Sequence, residues 1–263
     1  MAVWDSWNIW NNTLTQKIEK FYKISLCTTC MDRLYTLKEC LPKNIEDNAD
    51  YPNLEFVVLD YNGKDNVTQW MKDNMMEHIE SGRVAFYRTE EPQFYSMSHS
   101  RNVAFKLATG DIVNNVDSDN YVNKAFASYL NFLANECPEK AAFSKGKRMM
   151  NGRLGFYKSD FIDILGGYDE DLDGYGADDH NLLYRAMSDK FKLMWYGGRF
   201  VWRIKTSGKE KTSNMKNKSW RDSEKKNKVI TEEKLEKGIV KVNTDRHWGK
   251  ATVIKNFTEE ISI

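Results

Sequence analysis

A chain of 263 residues, 41% hydrophobic and 29% charged, has material for one large domain with a substantial core or for two small ones. Its formal net charge of +1 gives no global argument for a nucleic-acid or membrane partner. No apolar run of about 18 residues is present to span a bilayer, and the first twenty residues lack the basic start and apolar core of a secretory signal, so a cytoplasmic location is expected.

Residues 1–21 read as an N-terminal extension in which Trp4, Trp7 and Trp10 are spaced to share one face of a short helix, docked on the domain. Cys27, Cys30, Cys40 and Cys137 form no disulfide framework and fit a reduced compartment. Cys27-Thr28-Thr29-Cys30 has the spacing of a redox pair. Its first cysteine belongs to a strand instead of a helix N-terminus, which argues against that chemistry.

Tyr22–Cys27 is the first expected strand, followed by a helix from Leu34 to Cys40 that stops before Pro42. Leu54–Asp60 is a second strand, closed by the turn signal Asn62-Gly63. A helix is expected over Val67–Ile79, a third strand over Arg83–Tyr87, and a helix over Ser98–Ala108 closed by Gly110. Ile112–Val116 then forms a strand leading into Asp117-Ser118-Asp119. The helix over Lys124–Asn135 carries Phe126, Tyr129, Leu130 and Leu133 on a core face. Beyond Lys145 come glycine-rich segments at Gly152, Gly155, Gly166-Gly167, Gly174 and Gly176. Ser159 is placed to cap a short helix over Asp160–Leu165.

Alternating strands and helices predict a mostly parallel sheet covered on both faces, with ligands beyond the carboxyl ends of its strands. Asp60, Asp117 and Asp119 then share one rim. Asp117 and Asp119, at i and i+2, are expected to leave the strand end on one side and to offer oxygen ligands to a hard divalent cation, Mn²⁺ or Mg²⁺. Asp178 and Asp179 stand where a further helix should begin, after Gly174-Tyr175-Gly176-Ala177. Acidic residues there favour the helix dipole. The flanking glycines also permit a ligand to approach the backbone, and Tyr175 offers a face on which a sugar could stack. A carboxylate kept ionised there suits a general base acting on a hydroxyl.

Ile24–Arg33, the stretch ending in Asp60, Ser100-Arg101-Asn102, Asp117-Ser118-Asp119 and Gly167-Tyr168-Asp169-Glu170 occur in the order found in family 2-type glycosyltransferases of the GT-A fold. Gly174-Tyr175-Gly176-Ala177-Asp178-Asp179 resembles the corresponding element of β-1,4-galactosyltransferases and polypeptide N-acetylgalactosaminyltransferases. The resemblance implies a GT-A domain over 22–205, with a nucleotide-sugar-binding half (22–123) and an acceptor half (124–205). Residues 206–263 would follow as a basic loop and C-terminal extension packed on it. It implies Thr28, Thr29, Arg33, Asp60, Arg101, Asp117 and Ser118 at the nucleotide-sugar, and Asp119 and Asp117 at the metal. Asp179 is then the base, with Asp178 beside it, and Tyr175, Gly176 and Asp178 contact the acceptor. The implied reaction is an inverting transfer from a nucleotide-diphosphate sugar, a UDP-sugar by preference, to a glycan, lipid-linked or protein hydroxyl.

Three departures stand out. Asn114 and Asn115 replace the usual apolar residues, Asp178 replaces a glutamate, and the metal-binding histidine expected after the acidic pair is missing. His247, or else His180, is left as the third ligand; His99 and His78 read as a helix-start and a surface residue. From Arg199 to Lys228 eleven Lys and Arg face three Asp and Glu. This segment reads as a mobile basic loop, either a solvated face, a lid over a diphosphate, or a patch for the acceptor or for peripheral contact with anionic lipid. Its scattered aromatics do not make a nucleic-acid surface. Thr231–Lys237 is expected as a short helix, Ile239–Val242 as a strand, and Val253–Ile263 carries no assignment. The alternatives in other classes are a non-catalytic carbohydrate- or nucleotide-sugar-binding relative and a sugar-nucleotide pyrophosphorylase. The latter lacks its glycine-rich phosphate loop between Thr28 and Leu34.

Overall fold

The structure, a computed structural model, describes residues 18–146 and 153–263. The expected Trp4–Trp10 helix face and Gly152 lie outside the described residues. A nine-stranded sheet forms the centre of the domain. Strand β1 (Ile24–Cys30) is buried along its whole length, as a strand covered on both faces must be. It pairs in parallel with β2 (Leu54–Tyr61) and β4 (Ile112–Asn115), and β3 (Val84–Thr89) lies parallel to β2. Beyond β4 come β7 (Gly155–Tyr157), antiparallel to both its neighbours, then β6 (Ala141–Ser144), and β8 (Lys192–Trp195) parallel to β6. At the other edge β10 (Thr252–Lys255) and β11 (Glu259–Ser262) form a hairpin that extends β3. Val253–Ile263 thus closes the sheet edge. A separate pair, β5 (Asn120–Val122) and β9 (Val201–Arg203), sits above the strand ends.

Alternate residues of β1 enter two different cores. Leu26 and Cys30 join one, while Cys27 joins the other with Val57, Val103 and Phe156. The Cys27–Cys30 pair therefore points to opposite faces, and burial pushes both thiols up from their ordinary range. That arrangement removes the redox reading.

Several boundaries differ from expectation for local physical reasons. Helix α1 (Leu34–Asp47) runs through Pro42. The lost backbone bond is offset by anchoring further along: Asn44 donates to the Asn120 carbonyl at 2.9 Å and accepts from the Val122 amide at 2.8 Å. The Val67–Ile79 segment breaks at Met75 into α2 (Val67–Asn74) and α3 (Met76–Glu80). Helix α4 (Met97–Leu107) begins one residue early, its N-terminus capped by the Ser96 hydroxyl. It ends before Gly110, whose lack of a side chain serves packing instead: a Cβ there would lie 2.5 Å from Ser25 Oγ. Helix α5 (Phe126–Glu136) buries Phe126, Leu130 and Leu133, while Tyr129 stacks on Phe200. Asp160–Ile164 is a π-helical turn, and Ser159 makes no side-chain cap to it.

The basic stretch is helical in two places and irregular over 204–207 and 212–219. After α6 (Asp178–Ser188), the short α7 (Gly208–Lys211) carries a capping box between Ser207 and Glu210, and α8 spans Trp220–Glu236. The buried stripe of α8 is polar, Ser223, Asn227 and Thr231, so no apolar periodicity announces it. Ile239–Val242 is not a strand; it crosses as irregular chain, with Val242 N–H bonded to the Leu165 carbonyl at 3.2 Å. No helix among the described residues is long and apolar enough to cross a membrane.

Arg185 ties these irregular segments together. Fully buried, it donates to the carbonyls of Leu165 (2.7 Å), Val240 (2.9 Å) and Gly167 (2.7 Å) and to Asn181 Oδ1 (2.8 Å). Burial lowers its pKa to about 10 against the opposing pull of Asp169, so it stays charged at neutral pH. Arg185→Leu leaves these carbonyls unsatisfied, and urea unfolding should show a loss of about 3 kcal/mol or more.

Candidate functional site

Above the carboxyl ends of β1 and β4 lies a cavity of about 410 Å³. Its floor comes from Thr29 at the end of β1, Arg101 on α4, and the Asp117-Ser118-Asp119 turn after β4. One wall is the start of α6 with Tyr175, Gly176, Asp178, Asp179 and His180; another is Thr206, Glu210 and Lys211 around α7.

The two carboxylates of the turn are not placed by strand alternation. The strand ends at Asn115, and the chain folds into a turn closed by Asn120 N–H on the Asp117 carbonyl at 2.8 Å. The unusual asparagines have work here. Asn115 donates to Asp117 Oδ1 at 2.8 Å, and Asn114 to the Asn115 carbonyl at 2.9 Å. Gly155 on β7 leaves room for Asn114; a Cβ at that glycine would stand 2.4 Å from Asn114 Oδ1. Asp119 accepts from Asn120 Nδ2 and, at 3.4 Å, from Thr206 Oγ1. Burial first, and the Asp117 charge next, push the Asp119 carboxyl above its usual range.

Arg101 joins this turn to the second acidic pair. The guanidinium, 1% exposed, donates to Asp117 at 3.0 Å, to Asp179 at 3.1 Å, and to Asp178. Burial opposes its charge, but Asp179, Asp178 and Asp117 outweigh that and hold it above its usual range. The Tyr168 ring lies 5.4 Å from the same guanidinium. Of the two carboxylates on α6, Asp179 is the more open, at 14% side-chain exposure against 6% for Asp178.

The backbone that presents this pair is held in the left-handed region, with φ of +74° at Gly174, +93° at Gly176 and +67° at Ala177. Where a Cβ would stand, both glycines face α8: one on Gly174 would meet Ser223 Oγ at 2.4 Å, and one on Gly176 would meet Glu224 Cγ at 3.2 Å. Asn227 on α8 donates to the Gly176 carbonyl at 2.8 Å. Tyr175 lines the cavity with Lys211 Nζ 5.6 Å from its ring centroid.

Thr29, Arg33, Arg101, Asp117, Ser118, Asp119, Tyr175, Gly176, Asp178 and Asp179 are thus brought to one cavity. Thr28, Asp60 and His247 do not line it. Thr28 donates to the Val116 carbonyl at 2.8 Å, and Asp60 is fully buried against Arg88 and the Gly63 amide. His247 lies on an exposed loop, and its neighbour Trp248 packs over Lys106, away from the cavity. His180 does line it. Both nitrogens of His99 are engaged, by Tyr61 Oη at 2.6 Å and the Lys250 carbonyl at 3.0 Å. Sequence reasoning missed Tyr95, which bonds Thr29 at 2.6 Å, and Arg153, whereas Arg203 and Lys211 belong to the basic segment Arg199–Lys228 already singled out. No local motif marks Tyr95 or Arg153.

Among the described residues no group of three His, Cys, Asp or Glu side chains gathers as a closed metal centre. Two crowded carboxylates do fit Mg²⁺ or Mn²⁺, which keep several positions for waters and substrate phosphates.

The sequence model for glycosyl transferase family 2 matches residues 25–161, more than half of the chain. The chain belongs to that family. No curated relative matches the chain in sequence. Solved structures with the same fold include a mannosyltransferase from Pyrobaculum calidifontis in complex with GDP-Man and Mn²⁺, which is 20% identical with a TM-score of 0.56. The match covers 72% of this chain and 61% of that one. S. aureus TarS 1–349 in complex with UDP-GlcNAc is 16% identical with a TM-score of 0.55, covering 74% and 62%. GalNAc-T7 with UDP, GalNAc and Mn²⁺ is 14% identical with a TM-score of 0.56, covering 70% and 44%. This family 2 chain spans less than two thirds of each of those structures. They share its GT-A fold, a mixed sheet flanked by helices, mostly parallel at its centre.

Two outcomes follow from this family 2 site. Arg101→Met leaves three carboxylates uncompensated and is expected to cost about 3–5 kcal/mol in urea unfolding. Because the Asp119 carboxyl titrates above its unfolded value, its ionisation costs the fold stability as pH rises through that range and costs nothing below it. Asp119→Asn should therefore melt above the parent at about pH 7, with the gap closing as pH falls below the usual carboxylate range.

Proposed function

We propose that this family 2 chain transfers a glycosyl group from a nucleotide-diphosphate sugar to a hydroxyl acceptor, with inversion. The observation that carries the reading is the Arg101 cluster, which holds the Asp117–Asp119 turn and the Asp178–Asp179 pair at one cavity. In this reading the donor-binding turn and the base serve one bound substrate pair. The titles of the GT-A neighbours, with GDP-Man, UDP-GlcNAc or UDP, support a nucleotide-sugar donor.

In this reading Asp179, the more open of the pair, accepts the proton of the acceptor hydroxyl. The acceptor oxygen forms its bond to the anomeric carbon while the bond from that carbon to the diphosphate oxygen breaks, and the nucleoside diphosphate leaves. Asp178 stays on Arg101 and fixes the side chain that orients Asp179. Asp117 and Asp119 would hold a divalent cation, Mn²⁺ or Mg²⁺, which supplies charge stabilisation for the leaving diphosphate. Thr29 and Ser118 line the donor side; Tyr175 and Gly176 line the acceptor side, where a glycan, lipid-linked or protein hydroxyl would sit.

Titration calorimetry with UDP tests the donor site. Binding should depend on Mn²⁺ and be lost in Asp119→Ala. Asp179→Asn should keep UDP affinity while kcat with the best UDP-sugar falls by about 10²–10⁴-fold. Absence of binding for every nucleoside diphosphate, with any divalent metal, would refute the transferase reading.

A further inference from the structure

Helix α6 delivers the acidic pair and then continues out of the cavity. Past Asp179 its positions Asn181, Leu182, Leu183, Arg185 and Ala186 are buried, which leaves His180, Tyr184 and Met187 as its outward face. Spacings of four and three residues set them on one stripe, which runs about 10 Å along the helix. His180 lines the cavity. The Tyr184 ring stacks beside it, with centroids 6.1 Å apart and planes 26° from parallel, and is 40% exposed; Met187 beyond it is 43% exposed. The stripe therefore begins inside the site, at the residue after Asp179, and ends on open surface. Among the described residues no hydrogen bond ties the His180 ring or the Tyr184 hydroxyl, and no charged side chain of α6 interrupts the stripe.

The surroundings narrow what can lie on this stripe. Three side chains fall far short of the roughly 800 Å² a side that a stable protein interface buries. A helix lying in a membrane surface has a broad apolar face flanked by Lys and Arg, whereas the one such cation of α6, Arg185, is buried. The stripe is instead the continuation of a substrate cavity, so its occupant is joined to whatever sits at Asp179. The α6 and α8 residues that line the cavity, with Tyr175 and Gly176, carry no aliphatic side chain larger than that of Ala177, so a lipid chain finds no partner there. Hydroxyl groups do find one in the carboxylate of Glu224, which lies 3.0 Å from the exposed Lys228. Flat C–H faces find the rings of Tyr175 and His180. Tyr184 repeats that second feature one turn further out, as an apolar ring with a polar tip.

We propose that His180 and Tyr184 form an outer subsite for a second ring of the acceptor, so that the hydroxyl being glycosylated belongs to an oligosaccharide. The reacting ring lies at Asp179 and the next ring lies on Tyr184. This proposal rests on the transferase reading for the role of Asp179; the outer subsite itself rests on the stripe. A sugar ring presents C–H groups on its face and hydroxyls at its edge, which matches a half-exposed aromatic ring whose own hydroxyl stands in water. Stacking of this kind does not read the linkage between rings, so selection of the reacting sugar stays with the inner cavity.

The test titrates two series into the full chain saturated with UDP and Mn²⁺, and again without nucleotide: glucose, cellobiose and cellotriose, then N-acetylglucosamine, chitobiose and chitotriose. In at least one series the disaccharide should bind about three- to tenfold tighter than the monosaccharide, the scale of one aromatic stack. Tyr184→Ala should remove that gain and Tyr184→Phe should keep it, while monosaccharide affinity, UDP affinity and melting temperature stay at parental values in both. Affinity that does not rise from one ring to two in either series, or a rise that survives in Tyr184→Ala, would overturn the proposal. So would a threonine-containing peptide that binds through Tyr184 when no oligosaccharide does, because the stripe would then belong to a polypeptide acceptor. If the native chain binds no UDP but shows the Tyr184-dependent rise, the outer subsite stands and only the transferase reading fails.

Discussion

A buried guanidinium cannot exist alone, and the placement of Arg101 governs the whole site. It sits on α4, which packs on β1 and β2; its partners come from the turn after β4 and from the first turn of α6. These elements are 16 and 77 residues away in sequence, so the ion-pair cluster is where the two halves of the chain are locked in register. Three carboxylates to one cation leave the floor with excess negative charge. That excess is what a divalent metal would neutralise, and Asp119, pushed up by burial and by Asp117, shows the same crowding from the carboxylate side.

The cost of that arrangement is met by a rigid surround. The loop that delivers Asp178 and Asp179 places a non-glycine residue, Ala177, at φ +67°, a conformation an isolated chain would avoid. Helix α8 holds it there by filling the space above Gly174 and Gly176 and by bonding the Gly176 carbonyl through Asn227. Arg185 and Asn181, further along α6, fasten the same helix to the Gly166-Gly167 turn and to Thr231 on α8. The basic segment after Arg199, whatever else its surface does, therefore acts structurally as a buttress for the acidic pair.

Much of this was legible beforehand, and what escaped did so for identifiable reasons. Runs such as Leu54–Leu59 and the helix beginning near Ser98 announce themselves because burial on two faces, or on one stripe, imposes a continuous or a 3.6-residue apolar pattern. The acidic pairs were visible as local doublets, and ten residues named from sequence do line the cavity. Polar contacts at long range left no such trace. Asp60 stands at a strand end, but Arg88 and the Gly63 amide take up its carboxylate; Gly176 lines the cavity and at the same time packs closely on α8. Helix α8 is legible only in its last turns because its inner stripe is Ser223, Asn227 and Thr231, which pattern as solvent-facing. Arg153 and Arg203 converge only through Asn120, a contact set by strand pairing that periodicity does not encode.

The walls of the cavity are not equally firm. The α6 side is held by buried charges and by backbone bonds to α8, each costly to break. The α7 side rests on Arg33, which donates to the Glu210 carbonyl, and on Tyr35, whose hydroxyl meets Glu210 at 3.2 Å; both contacts are exposed. Water competes with contacts of that kind and little stability is lost when they part. Anchors at its far end, Asn214 Nδ2 to the Met31 carbonyl at 2.7 Å and Tyr95 N–H to the Asn214 carbonyl at 2.8 Å, keep the segment tied to the floor. With Ile204 N–H on the Asp119 carbonyl at 2.8 Å before it, the segment is tied at both ends and weakly held between them, so it yields locally at lower free energy than the wall bearing Asp179.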